Sequence, residues 1–431
     1  MLRGSTWQPT PTLVRAALTA SGFAVVAVAF GRPELLVLAT PFLVHTLAAV
    51  VRRPRAVPVP TSGITPQALR EGEGARLRVQ LASAGDVEHA VLASGGGRFD
   101  AARPASGIVS AAPGPDRERV DLQLALASVR WGRRPLGGGV VGAISPWSGF
   151  EWGPMPVPAH LVTTLPVPGP FDSRAATPHP IGLVGMHPSR RRGDGSEFES
   201  IRPFHPGDRL RRLHWRVSLR TGTLHVTSTV SEEDASLLLL VDAGVEVGVS
   251  GGIHGAASTL DVAVRAAGAV AEHALIRGDR VGLRVLGTTR VDALSASTGR
   301  RHLRRVLETL ARVVPGLDDE VDAGRLRYRA SAGTTVLVFS PMLTRASVAA
   351  TTALAARGLD VIVVDCLPTG LEVGSDDRDR LGWRMRLLER RTLLEQVARS
   401  GIPVVPWHGP GTLDEVLRRL GRRTSRAVVT R

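Results

Sequence analysis

The chain has 431 residues, 43% of them apolar and 22% charged, which is too long for one small domain and too apolar for a disordered one. Its 54 basic residues, all of them Arg, stand against 39 acidic ones for a net charge of +15; the absence of Lys excludes a standard P-loop, and the single Cys366 excludes an intrachain disulfide and any multi-cysteine zinc or iron-sulfur centre. The charge surplus by itself names no partner, because nucleic acid, an anionic membrane face and an acidic protein surface all attract it.

Two apolar runs open the chain. Leu13 to Phe30 is 18 residues whose only charge is Arg15, and Leu35 to Val51 is 17 residues with no formal charge. At 1.5 Å per helical residue each is near the lower limit for crossing a hydrocarbon core of roughly 30 Å. Gly31-Arg32-Pro33-Glu34 between them breaks helices, so the two runs are expected to form an antiparallel hairpin over residues 1–56, with spans at about 13–30 and 35–51. Arg3 precedes the first run and Arg15 lies near its start, Arg52, Arg53 and Arg55 follow the second, and the loop carries no net charge; the positive-inside rule places both ends, and with them the bulk of the chain, on the cytoplasmic side of an inner (plasma) membrane. The competing reading is a cleavable signal peptide with a small-residue site near Ala27 to Ala29.

Residues 57–170 then show period-two alternation. Leu77, Val79 and Leu81 alternate with Arg76, Arg78 and Gln80, and Val120, Leu122, Leu124 and Leu126 alternate with polar or small residues, the mark of strands with one buried face. Gly95 to Gly97 and Gly137 to Gly139 mark turns, and no useful helical periodicity appears, so the segment is expected to be a small all-β sandwich with Pro154 to Pro170 as its exit.

Residues 171–230 concentrate arginine. Between Arg190 and Arg220 nine Arg face Asp194, Glu197, Glu199 and Asp208. A nucleic-acid face favours uncompensated Arg with aromatics interleaved. Here acids alternate with Arg, whose planar fork pairs bidentately with carboxylates, so Glu197, Arg202, Asp208, Arg211 and Arg220 are expected to build an internal ion-pair and hydrogen-bond network under Trp215. The bland alternative is a solvated basic loop.

Residues 231–431 alternate strand with helix. Leu237 to Val241 is a continuous apolar run, as expected for a parallel strand buried on both faces, and similar runs follow at Val281 to Leu286, Thr335 to Phe339, Val361 to Asp365 and Val404 to Trp407. Helical patterns span Ser258 to Ile276, opened by a Ser258-x-x-Asp261 capping box, and about Arg300 to Val313, Thr344 to Ala356, Arg378 to Ser400 and Thr412 to Leu420. This order predicts an α/β doubly wound sheet, with any ligand beyond the carboxyl ends of the strands.

The ordered set Glu197-Phe198, Ile201-Arg202-x-Phe204, Gly207-Asp208-x-x-Arg211-x-Leu213-x-Trp215 and Leu219-Arg220-Thr221-Gly222 resembles the signature of the domain-of-unknown-function 58 family, and Gly278-Asp279-Arg280-Val281-Gly282-Leu283 is similar to a second stretch of it. Weaker likeness at Trp131-Gly132-Arg133, Ser145-Pro146-Trp147-Ser148-Gly149-Phe150 and Leu165-Pro166 extends the resemblance over essentially the whole chain. The resemblance implies an N-terminal membrane hairpin, a von Willebrand factor type A-like C-terminal domain, and as partners a MoxR-type AAA+ ATPase and in some lineages a transglutaminase-like membrane protein. A type A domain holds magnesium with Asp-x-Ser-x-Ser after its first strand, a Thr from a second loop and an Asp after a later strand. Asp242 occupies the first position, but Gly244 and Glu246 stand at the serine positions and Ser340-Pro341 where the later Asp is expected. Asp242 is therefore expected to be a strand-end residue satisfied by nearby N–H groups, with no cofactor.

The histidines His187, His205, His214 and His225 lack metal-ligand spacing, Ser250-Gly251-Gly252 lacks a nucleophile-elbow context, and Cys366 reads as a buried core thiol. Two functions from different classes follow. The first is a non-catalytic, membrane-anchored cytoplasmic adaptor that docks a partner protein, the AAA+ ATPase by resemblance. The second is a metal-dependent binding protein or enzyme using Asp242 and Glu246. Nucleic-acid binding ranks last, because acids are interleaved with the arginines.

Overall fold

The computed structural model describes residues 6–116, 118–167, 188–193, 197–205, 210, 213–232, 236–287, 293–316, 334–371, 373–374 and 376–409. The chain divides into two compact units, Met1–Leu165 with Gly252–His254, and Pro166–Gly251 with Gly255–Arg431.

The first unit begins with β1 (Gln8–Pro9) and two helices, α1 (Pro11–Phe30) and α2 (Glu34–Val51). Thr10 caps α1 by accepting from Leu13 N–H, Pro11 stands at its first position, and Gly31 closes it in the left-handed region at φ 62°. The two helices pack on each other, and each has a mean hydropathy of 1.9 over an 18-residue window, with length and composition sufficient to cross a membrane. Most of their Leu, Val and Phe side chains face outward, uncovered by the rest of the chain.

The same unit continues with β2 (Val59–Thr65), β3 (Ala68–Arg70), β4 (Gly74–Ala82), β5 (His89–Ser94), β6 (Asp100–Arg103), β7 (Ile108–Ala111), β8 (Arg119–Ser128), β9 (Gly132–Leu136), β10 (Gly139–Ile144), β11 (Phe150–Val157) and β12 (His160–Leu165). They form sheets of order β2-β4-β8-β6, β1-β11-β10-β5-β7 and β3-β12-β9. The alternating residues are the core: Leu77 lies opposite Leu124, Val79 opposite Leu122 and Leu81 opposite Val120, all of them buried. Each such side chain contributes about 1.5–3 kcal/mol of transfer free energy. The strands continue into the Pro154 to Pro170 stretch. Pro154 and Pro156 sit inside β11, where β-bulged pairing with β10 accommodates them, and β12 follows before the chain leaves at Leu165.

The second unit opens with an antiparallel sheet of order β13-β15-β14, built from β13 (Pro188–Gly193), β14 (Glu197–Pro203) and β15 (His225–Glu232), with the short helix α3 (Trp215–Thr221) between the last two. It continues with β16 (Ser236–Asp242), α4 (Thr259–Ile276), β17 (Arg280–Leu286), β18 (Leu294–Ser297), α5 (Arg300–Leu310), β19 (Thr335–Ser340), α6 (Arg345–Ala356), β20 (Asp360–Asp365), α7 (Asp377–Arg399) and β21 (Val404–Pro406). The six-stranded sheet has the order β18-β17-β16-β19-β20-β21, parallel throughout except for β18 at its edge. Leu240 and Val338 join a core with Val348, Leu354 and Val397 of α6 and α7, while their neighbours Leu239 and Leu337 on the opposite face are equally buried. Both faces are thus covered, which is why these strands read as continuous apolar runs. The expected helix at Thr412 to Leu420 lies outside the described residues.

Candidate functional site

In this sheet the strand order reverses between β16 and β19, so the crevice beyond their carboxyl ends is where an open α/β sheet offers a site. Three strand ends meet there. β16 ends on Asp242, β19 on Ser340 and β20 on Asp365, with Ser340 directly opposite Asp365 in the ladder.

Asp242 is buried, and its carboxylate is held from three sides. Ser340 Oγ and Ser347 Oγ each donate to Oδ2 at 2.6 Å, and Gly244 N–H donates to Oδ1 at 3.0 Å. Ser347 comes from the first turn of α6, where Thr344 caps the helix by accepting from Ser347 N–H at 3.1 Å; the two hydroxyls lie 2.6 Å apart. The positive end of the α6 dipole therefore faces the Asp242 charge. Ser340 Oγ also accepts from Met342 N–H at 2.9 Å, and Met342, buried in the core, holds φ at 50°. Such a left-handed residue in an apolar side chain marks a turn that its surroundings dictate.

Beside this knot Asp365 pairs with Arg390 of α7 at 2.5 Å, with side chains only 17% and 11% exposed. Arg390 Nε donates to Pro341 O at 2.6 Å, and Asp365 Oδ1 accepts from Leu367 N–H at 3.0 Å. Cys366 follows Asp365 and is fully buried; burial first, then the Asp365 and Asp242 carboxylates, push its thiol well above the ordinary range, so it stays neutral and unreactive.

On the other side of β16, Glu246 Oε1 accepts from Ser258 Oγ at 2.5 Å. Ser258 caps α4 in the expected capping box: its Oγ accepts from Asp261 N–H while Asp261 Oδ2 accepts from Ser258 N–H.

These residues do not fit a magnesium site of the type A kind. A hard cation takes about six oxygen ligands, whereas Asp242 Oδ2 already accepts from both Ser340 and Ser347 and Oδ1 accepts from Gly244 N–H, so this carboxylate has little acceptor capacity left to offer. Glu246, the second carboxylate, is engaged with the α4 cap. Among the described residues no group of three or more His, Cys, Asp or Glu is placed to hold a metal ion. The arrangement neutralises a buried charge with three hydrogen-bond donors spread over both oxygens of Asp242.

The Arg-rich motif is placed only in part. Gly207, Asp208 and Arg211 lie outside the described residues, as does the side chain of Glu197 in β14. Arg202 donates through Nη1 to Pro203 O at 3.1 Å and meets His205 Nδ1 at 3.3 Å. Trp215, which begins α3, is 61% exposed, and Arg220 is exposed in the last turn of α3, where a cation complements the helix dipole. The residue that organises α3 is Ser218, which sequence reasoning passed over. Its Oγ donates to His214 O at 3.0 Å and accepts from His225 N–H at 2.9 Å, tying α3 to β15. His214 caps the helix, its Nδ1 accepting from Val217 N–H at 3.2 Å.

α7 carries a different kind of feature. Leu393, Leu394 and Val397 pack into the core, but Leu381, Met385 and Leu388, spaced as one stripe along the helix, are 59%, 58% and 60% exposed. Exposed Arg384 and Arg391 run beside that stripe, and Arg378 stands at its start.

Residues 200–375 match the family described as "Protein of unknown function DUF58". The match runs from β14 to just before α7, a narrower extent than the whole-chain resemblance read from the sequence. An uncharacterised protein of Mycobacterium bovis and another of Mycobacterium tuberculosis (strain H37Rv) are each 31% identical to this chain over 131 residues, which is 30% of this chain and 40% of the relative. The chain thus spans 40% of the length of these curated relatives.

Proposed function

We propose that this chain is a non-catalytic, membrane-anchored adaptor whose second unit, a von Willebrand factor type A-like domain, docks a partner protein on the cytoplasmic side. The exposed stripe of Leu381, Met385 and Leu388 on α7 carries this reading: three large apolar side chains at helical spacing, left uncovered and flanked by Arg, suit an apolar groove with an acidic rim. The family resemblance makes a MoxR-type AAA+ ATPase the first candidate for that groove, and a transglutaminase-like membrane protein the second. Two observations support the rest. α1 and α2 are long and apolar enough to span a bilayer, with Arg52, Arg53 and Arg55 at the inner end, and the strand order with an antiparallel edge at β18 suits a type A sheet.

Photo-crosslinking from position 388 in native membranes tests the adaptor reading. Recovery of an AAA+ protein, lost when Leu381 and Met385 are changed to Asp with the melting temperature unchanged, supports it; recovery of no AAA+ protein counts against it. The alternative, a cation-dependent binder or enzyme at Asp242 and Glu246, predicts stabilisation by magnesium or manganese. It has to compete with the three hydrogen bonds that the Asp242 carboxylate already accepts.

A further inference from the structure

The turn between β10 and β11 holds the one exposed tryptophan of the first unit in a conformation that aromatic residues seldom adopt. Trp147 has φ 62° and Ser148 φ 49°, two consecutive left-handed residues without a glycine, and the Trp147 side chain is 51% exposed. Backbone of this kind persists only where neighbours over-determine it, and here they do. Thr10 Oγ1, at the cap of α1, donates to Ser148 O at 2.6 Å, and Thr10 N–H donates to Gly149 O at 3.0 Å. His45 of α2 meets Trp147 O through Nε2 at 3.0 Å. Ser145 closes the turn from within, its Oγ accepting from Phe150 N–H at 2.9 Å and its carbonyl from Ser148 N–H at 3.0 Å.

Packing fixes the turn to the same helix ends. Phe150 lies in a small buried cluster with Leu13 and Ala49, and a Cβ added at Gly149 would come within 2.6 Å of Ala49 Cβ, so α2 and the turn touch at a point only glycine permits. The Arg53 guanidinium stands 5.9 Å from the Phe150 ring centroid, and Arg52, Arg53 and Arg55 are all exposed around this end. The β-sheet thus grips the base of the two apolar helices and spends a strained backbone on pushing one indole outward at that level.

We propose that Trp147 is an interfacial anchor: its ring lies at the headgroup level of an anionic bilayer, beside Arg52, Arg53 and Arg55, and sets the depth and tilt of the first unit against the membrane. An indole has an apolar body and one N–H donor, which suits the wet edge of the hydrocarbon, and nearby Arg side chains complement anionic headgroups. Continuity with α1 and α2, whose apolar faces are uncovered, makes lipid rather than protein the occupant. The inference rests on the membrane-anchored reading above and adds the position at which the bilayer ends.

The test uses the full chain in nanodiscs of phosphatidylcholine and phosphatidylglycerol. Spin labels go at Trp147→Cys, at Val26→Cys in the second half of α1, and at Ser110→Cys in β7, which lies at the edge of its sheet opposite β1; the buried Cys366 does not compete for label. The expected result is a label at 147 that loses collisions with an aqueous nickel chelate relative to 110 while remaining accessible to dissolved oxygen, with 26 oxygen-accessible and nickel-protected. A label at 147 as nickel-accessible as 110, with 26 still lipid-buried, overturns the anchor and leaves the membrane reading intact. Protection of 147 from both quenchers also overturns it, because that is the signature of a protein-covered position. A nickel-accessible label at 26 overturns both readings together. As a check that keeps the native turn, quenching of intrinsic fluorescence by brominated lipid is expected to fall in Trp147→Phe, and an unchanged quenching curve counts against the anchor.

Discussion

Asp242→Asn is the substitution that most directly separates a donor-filled carboxylate from a vestigial cation site. All three of its partners donate: the Ser340 and Ser347 hydroxyls to Oδ2 and Gly244 N–H to Oδ1. An amide keeps the shape but puts its NH2 against donors in either orientation. Gly244 N–H cannot reverse its role, so the amide oxygen turns there and the NH2 faces two hydroxyls, one of which already accepts from Met342 N–H. Hydrogen bonds to a charged group contribute about 1.5–3 kcal/mol each, and part is returned because a charge is no longer buried, so a loss of about 3 kcal/mol is expected. At roughly 2–4 °C per kcal/mol for a unit of this size class, the melting temperature falls by about 6–12 °C. The assay is thermal denaturation of the full chain in nanodiscs, in EDTA and in magnesium, with hydrogen exchange of the β16 and β19 amides to locate the change. Magnesium bound at a hundredfold excess over its dissociation constant would add about 2.7 kcal/mol. The expectation is that wild type and variant show no magnesium shift, and that the cost of Ser347→Ala shrinks in the Asn background because both remove the same bond. A magnesium-dependent rise in the wild type that vanishes in Asp242→Asn would refute the reasoning.

Three further outcomes follow from neighbouring contacts. Arg390→Met strands Asp365, a carboxylate only 17% exposed, and removes the bond to Pro341 O; it is expected to cost about 3 kcal/mol by urea denaturation, part of it recovered in the double variant with Asp365→Leu. Ser258→Ala removes the cap of α4 and the donor to Glu246, for about 1–2 kcal/mol, read as faster amide exchange at Asp261 with β20 unaffected. Cys366, its thiol raised by burial, is expected to resist iodoacetamide in the native state even near pH 9 while labelling fully in urea. Only the unfolded thiol ionises there, so its contribution to stability is complete below the unfolded-state pKa and declines as pH rises through the alkaline range, by at most about 1.4 kcal/mol per pH unit.

The readable parts of this sequence are those where one periodicity dominates. Strands such as β16, β19 and β20 are buried on both faces and appear as unbroken apolar runs, and β4 and β8 bury one face and appear as strict alternation, so register and core followed from the side chains. β18 was missed because Leu294–Ser297 is a four-residue edge strand with only partial burial, and β13 to β15 because Arg, Ser and Thr hide the alternation there. Pro154 and Pro156 do not break β11, since an edge or bulged strand tolerates what a central one does not. The partners of Asp242 were illegible for another reason. Ser340 and Ser347 stand 98 and 105 residues away, and only the parallel crossing of β16 with β19 brings them to it. Arg390 reaches Asp365 from α7, 25 positions further along the chain, and nothing in the helical pattern of that segment singles it out from its neighbouring arginines.

The Asp242 knot also bears on where function resides. A cation that takes Oδ2 of Asp242 has to displace a 2.6 Å bond from a buried serine, and displacing Ser347 loosens the first turn of α6. The same bonds make the strand ends rigid: α6 is tied to β16 through Ser347, and α7 to β20 and the Pro341 turn through Arg390. Rigidity of that sort suits a platform, on which the inner face of α7 is fixed to the core while Leu381, Met385 and Leu388 stay uncovered. Changing Arg390 therefore couples the two readings. If α7 is a docking helix, Arg390→Met should weaken partner recovery by tilting or fraying α7 without touching its exposed stripe, whereas Asp242→Asn, which leaves the α7 contacts in place, should lower stability with recovery retained at temperatures where the fold persists.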